Sequence, residues 1–186
     1  MARRGSWFFE GYETVIQTDA KGREKKVLVY RGEWYGLEVS PAGLSRVKAA
    51  MAALSLVLTA LFLLLSFRPS PGGMQPWVGA PLLLTLVPLI FLWIGLVNFL
   101  LAKPYWEIRT YYAGYRRLGR SALGATVILA VATVAELVFI VTTGRLVVLT
   151  ESTYLGGLLV CLLCALAIWN TKQRYPAVVI KGPDSE

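Results

Sequence analysis

The stretch ALGATVILAVATVAELVFIVTT, residues 122–143, contains one ionisable side chain, Glu136, within an otherwise apolar and hydroxyl-bearing run. A helix needs roughly 20 such residues to cross a hydrocarbon core about 30 Å thick, so the run predicts a membrane span. Three further stretches meet the same criterion: residues 49–67, 78–102 and 146–169. We therefore predict a membrane all-α bundle of four transmembrane helices, arranged as two tandem helical hairpins.

The overall composition indicates the same class of protein. Of the 186 residues, 56% are hydrophobic and only 16% are charged, and the mean hydropathy is +0.57. These values are too apolar for a soluble domain of this length. The first apolar run starts near residue 49, after a polar segment, so we expect an uncleaved anchor and no cleavable secretory signal.

The basic residues predict the orientation of the bundle. Of the 19 Lys and Arg residues, 17 lie before the first span, between the second and third spans, or after the fourth. Only Arg68 and Arg145 fall on the other side. Basic residues favour the cytoplasmic side, so both termini should be cytoplasmic in a multi-pass plasma-membrane protein. The net charge of +8 then predicts attraction to anionic lipids, and no nucleic-acid partner is expected.

The segment before the first span is predicted to contain a β-hairpin. Residues 12–39, YETVIQTDAKGREKKVLVYRGEWYGLEV, place β-branched and aromatic residues on both sides of a polar DAKGR turn. Gly22 is available there for a positive φ. A two-stranded hairpin alone is marginal in water, so it needs further strands or a membrane-side surface to rest on.

An internal duplication would supply those strands. The segment EWYGLEVSPAGLSR, residues 33–46, resembles YWEIRTYYAGYRRLGR, residues 105–120. After each helical pair the chain has Asn, five residues and Pro, at Asn98 to Pro104 and again 72 residues later. The alternative is that apolar helices with basic ends align through composition alone. If the repeat is real, its two copies are related by an axis along the membrane normal.

The duplication also predicts how the short strands assemble. Strands near 34–39, 105–109 and 177–181 should lie with the hairpin in one small cytoplasmic sheet. Ser40, followed by Pro41, is a strong helix-start signal, and Thr110 is the weaker equivalent.

The expected layout has five segments with short external connections. In the second span, Pro81 lies in the first turn, where proline is tolerated, whereas Pro88 is interior and should kink the helix. The outer connections SFRPSPGGMQPW and TTGR leave no room for a ligand-binding ectodomain. The segments are a β-rich N-terminal segment (1–47), a first transmembrane hairpin (48–103), an aromatic and basic linker (104–121), a second transmembrane hairpin (122–171) and a tail (172–186).

Glu136 is the first candidate site residue, because an ionisable group inside a span is costly and usually marks a site, a partner or a proton. It lies roughly 10 Å below the outer surface, from the helical rise of 1.5 Å per residue. The same depth on the other helices is occupied by polar residues, and Thr133 lies on the Glu136 face. The candidate intramembrane polar site is Glu136, Thr59, Thr85, Thr133, Thr153 and Tyr154.

Three interpretations of Glu136 stay open on the sequence. The first is a polar chamber that holds a proton, a cation or a polar solute. The second is structural: a protonated Glu136 donates to a threonine or to a freed carbonyl. The third is an ion pair with Arg68 or Arg145, whose long side chains reach inward. Glu151 is expected nearer water, paired with Arg145.

The linker before the third span is the second candidate site. Aromatic and basic residues interleave there, which is typical of a membrane interface. The alternative is a docking surface for an anionic partner or a phosphorylated lipid headgroup. The candidate residues are Trp34, Trp106, Arg109, Tyr112, Arg116, Arg117 and Arg120.

Little in the chain favours catalysis. Cys161 and Cys164 form a C-x-x-C inside the fourth span, but the chain has no histidine and no second cysteine pair, so we interpret them as apolar fillers and expect no metal and no cofactor. Phosphate-binding glycine loops and nucleophile elbows are also missing from the sequence. We therefore expect a structural or accessory subunit that binds a protein partner or a second copy of itself. The alternative is a small oligomeric transporter or channel that uses Glu136.

Overall fold

The structure is a computed structural model that describes residues 11–18, 24–68, 70–143 and 148–180. The helices are α1 (Pro41–Phe67), α2 (Pro76–Leu84), α3 (Leu86–Leu101), α4 (Ile108–Tyr111), α5 (Arg117–Thr143) and α6 (Val148–Arg174), with a π-helical turn at Tyr112–Arg116 between α4 and α5. The strands are β1 (Tyr12–Thr18), β2 (Glu24–Tyr30), β3 (Trp34–Leu37), β4 (Tyr105–Trp106) and β5 (Ala177–Ile180).

Four helical segments are long and apolar enough to cross a membrane, by length and composition: Pro41–Phe67, Pro76–Leu101, Ile108–Thr143 and Thr150–Arg174. The prediction of four long apolar helices is confirmed. The first, third and fourth helical segments extend beyond the predicted spans at the ends where the basic residues lie. Helical backbone continues there because its hydrogen bonds are local and do not depend on the apolarity of the side chains.

The helices pack around α5 and α6. These two helices lie against each other, α1 packs on α6, and α2 and α3 pack on α5. Gly95 allows the close approach of α3, since a Cβ atom there would lie 2.8 Å from the backbone nitrogen of Leu118. We call the end of the bundle that carries the strands the sheet end, and the end that carries residues 70–75 the loop end.

The start of α1 follows the predicted cap. The backbone N–H of Gly43 donates to Ser40 Oγ at 3.1 Å, and Pro41 occupies the first helical position. The corresponding prediction for Thr110 is wrong, because Thr110 lies inside α4 and Glu107 precedes that helix. The backbone is already helical before Thr110, so that residue has no free helix start to cap.

Pro88 interrupts the second apolar segment, as its position predicted. Proline has no N–H to donate to the carbonyl four residues earlier, and the regular helix stops at Leu84 and resumes at Leu86. Thr85 lies in the break, and its hydroxyl donates to the Pro81 carbonyl at 3.1 Å.

The short strands form two sheets and not one. Strands β4, β3 and β5 make an antiparallel sheet in that order, with Tyr35 opposite both Trp106 and Val179. The predicted pairing of these three segments is confirmed. The β1–β2 hairpin forms a separate antiparallel sheet, so its predicted place in the same sheet is wrong. The internal duplication stays a prediction.

The hairpin reaches the rest of the molecule through side chains. The Tyr12 hydroxyl donates to the Glu107 carboxylate, and the backbone N–H of Ile108 donates to the Tyr30 hydroxyl at 3.2 Å. The rings of Tyr30 and Trp34 meet edge to face, with centroids 5.3 Å apart. These contacts replace the ladder hydrogen bonds that a shared sheet would have supplied. The turn that contains Gly22 lies outside the described residues.

Candidate functional sites

A basic cavity lies at the sheet end, where the chain passes from α4 through the π-helical turn into α5. All but one of the side chains that line it come from residues 109–121, and their spacing follows the helical period, so they share one helical face. Phe91 of α3 forms the apolar wall. We call this cavity of about 270 Å³ the arginine pocket; it is lined by Phe91, Arg109, Tyr112, Ala113, Arg116, Arg117, Arg120 and Ser121.

The arginine pocket suits a phosphate group. Four of its lining residues are arginines, and none of its described lining residues is acidic. The Arg116 guanidinium lies 4.3 Å from the centroid of the Tyr112 ring, which holds it in place without neutralising its charge. Guanidinium groups bind phosphate oxygens through paired N–H donors, so several arginines around one cavity form an anion site.

The predicted linker surface divides into two parts. Arg109, Tyr112, Arg116, Arg117 and Arg120 come together in the arginine pocket. The two predicted tryptophans do not line it.

Trp106 is not a surface residue in this chain. Its side chain is only 1% exposed, and its indole N–H donates to the Lys103 carbonyl at 2.6 Å. The Trp106 ring packs against Phe99 and Tyr115, because strand β4 turns this residue towards the bundle. Trp34 is half-buried at the β3 strand and lines a different cavity.

A second candidate site lies at the loop end, around Glu136. This side chain is 0% exposed, and neither of its carboxylate oxygens has a hydrogen-bond partner among the described residues. Gly72 of the 70–75 loop lies directly on the carboxylate, since a Cβ atom at that position would overlap both oxygens. The loop therefore closes over Glu136.

Glu151 joins this site and corrects the sequence-based expectation. It is 2% exposed, not near water, and it accepts hydrogen bonds from the Ser70 hydroxyl at 2.9 Å and from the Gly72 backbone N–H at 3.3 Å. Its carboxyl group also interacts with that of Glu136. The same glycine therefore contacts both carboxyl groups. Arg145, the expected partner of Glu151, lies outside the described residues.

Tyr154 lies at the rim of this carboxyl pair. It is buried, it lies within electrostatic range of both glutamates, and a Cβ atom at Gly73 would come within 2.9 Å of its hydroxyl. Tyr154 also lines a cavity of about 350 Å³ together with Arg68, beneath the same loop.

The predicted threonines do not complete a chamber around Glu136, and none of them donates to it. Each hydroxyl donates to its own helix, as threonines in apolar helices commonly do. Thr59 also accepts a hydrogen bond from the Trp93 indole at 2.9 Å. The acceptors are the carbonyls of Ser55 for Thr59, Pro81 for Thr85, Leu129 for Thr133 and Thr150 for Thr153.

These placements bear on two of the three interpretations of Glu136. A bond from Glu136 to a threonine or carbonyl is not formed, and neither is an ion pair with Arg68, because both oxygens lack partners among the described residues. An ion pair with Arg145 falls outside the described part of the chain.

Sequence reasoning missed Ser70, Gly72 and Glu151 as neighbours of Glu136. The available signals were the paired glycines after Pro71 and an acidic residue in the first turn of α6.

The cysteine pair lies away from both sites. Cys161 and Cys164 are free thiols buried in the core of the bundle. Among the described residues, no group of three His, Cys, Asp or Glu side chains is placed to hold a metal ion.

The fold thus defines the class of this chain as a helical protein with four segments that are long and apolar enough to cross a membrane, by length and composition. No protein-family model, curated protein or solved structure matches the chain.

Proposed function

We propose that this protein is a small accessory subunit of the plasma membrane that binds an anionic phospholipid in the arginine pocket. The observation that carries the proposal is the convergence of Arg109, Arg116, Arg117 and Arg120 on one cavity. In this proposal the sheet end is cytoplasmic, as the distribution of basic residues indicates. Basic pockets between membrane helices on that side bind the headgroups of anionic lipids.

The position of the pocket favours a lipid over a free anion. Arg120 lies two residues before the apolar stretch that begins at residue 122, and this position supports a place for the arginines near the lipid headgroups. Phe91 supplies an apolar wall to the pocket, against which an acyl chain can pack. In a phospholipid, the phosphate can bind the arginines and the acyl chain can pack against Phe91. Among the described residues, Arg116, Arg117 and Arg120 form no salt bridge with a carboxylate that would compete for the phosphate.

Native mass spectrometry of the full chain tests the proposal. After purification from mixed membranes, we expect phosphatidylglycerol to be retained over phosphatidylcholine, and the R116Q/R117Q variant to lose that retention by about tenfold or more, since each charge-assisted bond to phosphate contributes about 1.5–3 kcal/mol. Inorganic phosphate should compete poorly if the acyl chain contributes.

The matched control is an R31Q/R46Q variant, which removes the same charge from exposed sites outside the pocket. Equal retention of the two lipids by the wild-type chain contradicts the proposal. An equal loss in both double variants also contradicts it, because net charge alone then explains the binding.

A protein partner or a second copy of the chain is part of the same proposal, because an accessory subunit acts through what it contacts. Crosslinks to the partner should map to exposed positions around Trp34 and Tyr112 and not to the buried Trp106. A monodisperse monomer with no partner in native membranes contradicts this part.

A second candidate function is a small oligomeric transporter or channel for a proton, a cation or a polar solute. It is favoured by the two oxygens of Glu136, which have no hydrogen-bond partner among the described residues. Glu136→Gln should then abolish a proton- or cation-dependent flux in proteoliposomes while expression is kept. Unchanged flux removes this candidate.

A further inference from the structure

Two glutamates from neighbouring helices meet beneath the 70–75 loop, but the loop satisfies only one of them. Glu151 of α6 accepts hydrogen bonds from Ser70 and from the backbone of Gly72. Glu136 of α5 is equally enclosed, with 0% of its surface exposed, and accepts no hydrogen bond from the described residues. The unpartnered oxygens of Glu136 face the same glycine that donates to Glu151.

If the Glu136 carboxyl group were ionised, no positive charge among the described residues around it would balance its negative charge. Burial of an unpaired charge in an apolar medium costs several kcal/mol even after relaxation, roughly as for other buried ions. The described titratable groups that face Glu136 are Glu151 and Tyr154, both from α6. The 70–75 loop and α2 have no ionisable side chain, and Arg68 at the end of α1 lies beside Tyr154 in the neighbouring cavity.

A proton resolves this imbalance better than a metal ion does. A protonated carboxyl group donates to the other carboxylate, which gives Glu136 a partner and leaves the pair with one negative charge, stabilised by Ser70 and Gly72. Carboxyl pairs in contact commonly share one proton for this reason. A metal ion needs more ligands than these two carboxyl groups provide, and the described residues offer no third acidic, histidine or cysteine ligand.

We propose that Glu136 and Glu151 form a proton-binding site at the loop end, in which one shared proton keeps the 70–75 loop closed over the bundle. The site is separate from the arginine pocket and does not depend on lipid binding. The proposal does not require the proton to cross the membrane, so a flux experiment with a negative result does not contradict it.

Loss of the shared proton acts on the loop through Gly72. Deprotonation leaves Glu136 and Glu151 both negatively charged beside Gly72. The repulsion between the two carboxylates then pushes them apart. The hydrogen bonds from Ser70 and Gly72 to Glu151 then weaken, and the loop opens towards water. The 350 Å³ cavity lined by Tyr154 and Arg68 is also lined by Ser70, Gly73 and Met74 of this loop.

Infrared spectroscopy of the full chain in lipid nanodiscs tests for the proton. At neutral pH the wild-type spectrum should contain the carbonyl stretch of a protonated carboxylic acid, and this band should disappear at alkaline pH. Glu136→Gln should remove the band, because its amide donates to Glu151 in place of the proton. Glu151→Gln should shift or remove it, and Glu38→Gln, a matched change at an exposed carboxylate, should leave it unchanged.

Absence of the band from the wild-type chain at neutral pH overturns the proposal, and so does a band that neither Glu136→Gln nor Glu151→Gln alters. The wild-type titration requires no variant, so the test survives a substitution that prevents folding.

Hydrogen exchange of the 70–75 segment tests the coupling to the loop. At alkaline pH the Gly72 amide of the wild-type chain should exchange several-fold faster than that of Glu136→Gln measured at the same pH. The two should agree at neutral pH. Equal exchange at both pH values overturns the link between the proton and the loop.

Discussion

Single side chains connect parts of this molecule that are remote in the sequence. Tyr12 in β1 donates its hydroxyl to Glu107, which precedes α4, and so fixes the hairpin to the linker. Burial and the bond to the Glu107 carboxylate raise the pKa of Tyr12 from 10.0 to about 12, because both favour the neutral phenol. The stability that this contact contributes is present below pH 10.0 and is lost as the pH rises towards about 12.

The Tyr12→Phe variant tests this contact. It has no phenol to ionise at this position, so we expect the absorbance change of the folded protein between pH 10.0 and about 12 to be smaller by one tyrosine. Its stability should also change less than that of the wild-type chain between pH 10.0 and about 12. Glu107→Gln should move the ionisation of Tyr12 to lower pH, since the carboxylate charge is gone. An identical late titration in all three proteins contradicts the assignment.

At the scale of elements, the end of α3 is completed by a side chain from a neighbouring helix. The last carbonyls of a helix have no partner within it. Lys48 of α1 supplies one for α3, because its Nζ donates to the carbonyls of Leu100 at 3.1 Å and Ala102 at 2.7 Å. The positive charge also interacts favourably with the negative end of the α3 dipole. Lys48 therefore fixes α1 to α3 at the sheet end.

We expect Lys48→Met to lower the free energy of unfolding by about 1–2 kcal/mol, because two carbonyls lose a charged donor. Lys48→Arg should restore most of this loss, since a guanidinium also donates to carbonyls. Denaturant unfolding in detergent micelles measures the effect. Arg46→Met, at an exposed position on the same helix, is the matched control, and a loss equal to that of Lys48→Met contradicts the role of the lysine.

At the scale of the whole molecule, the two candidate sites lie at opposite ends of the bundle. The arginine pocket lies at the sheet end and the carboxyl pair at the loop end. If the sheet end is cytoplasmic, the arginines face the anionic leaflet and the proton site faces the outside. The proposed assignment of each site therefore depends on the orientation of the chain.

Single-cysteine labelling determines that orientation. Met74 at the loop end is 73% exposed, and Lys103 at the sheet end is also exposed. In a Cys161→Ala/Cys164→Ala background, a membrane-impermeant maleimide should label Met74→Cys in intact cells and Lys103→Cys only after permeabilisation. The reverse pattern places the arginine pocket outside and contradicts the lipid proposal.

The amino-acid sequence by itself determined the features that depend on neighbouring residues. Hydropathy predicted four long apolar helices, Ser40 and Pro41 predicted the start of α1, and Pro88 predicted the break before α3. The interleaved aromatic and basic residues of the linker predicted a surface that includes the arginines lining the pocket. Each of these features is set by sterics, hydrogen bonding or burial within a few turns of the chain.

Only the tertiary structure decided which distant residues meet. Ser70 and Gly72 donate hydrogen bonds to Glu151, which is 81 and 79 residues away from them in the sequence. Trp106 becomes buried because β4 pairs with β3. The hairpin is fixed by Tyr12 and not by a shared ladder. No local sequence pattern predicts such contacts. They form between segments that are far apart in the sequence, and their free energy depends on how all of these segments pack together in the folded protein.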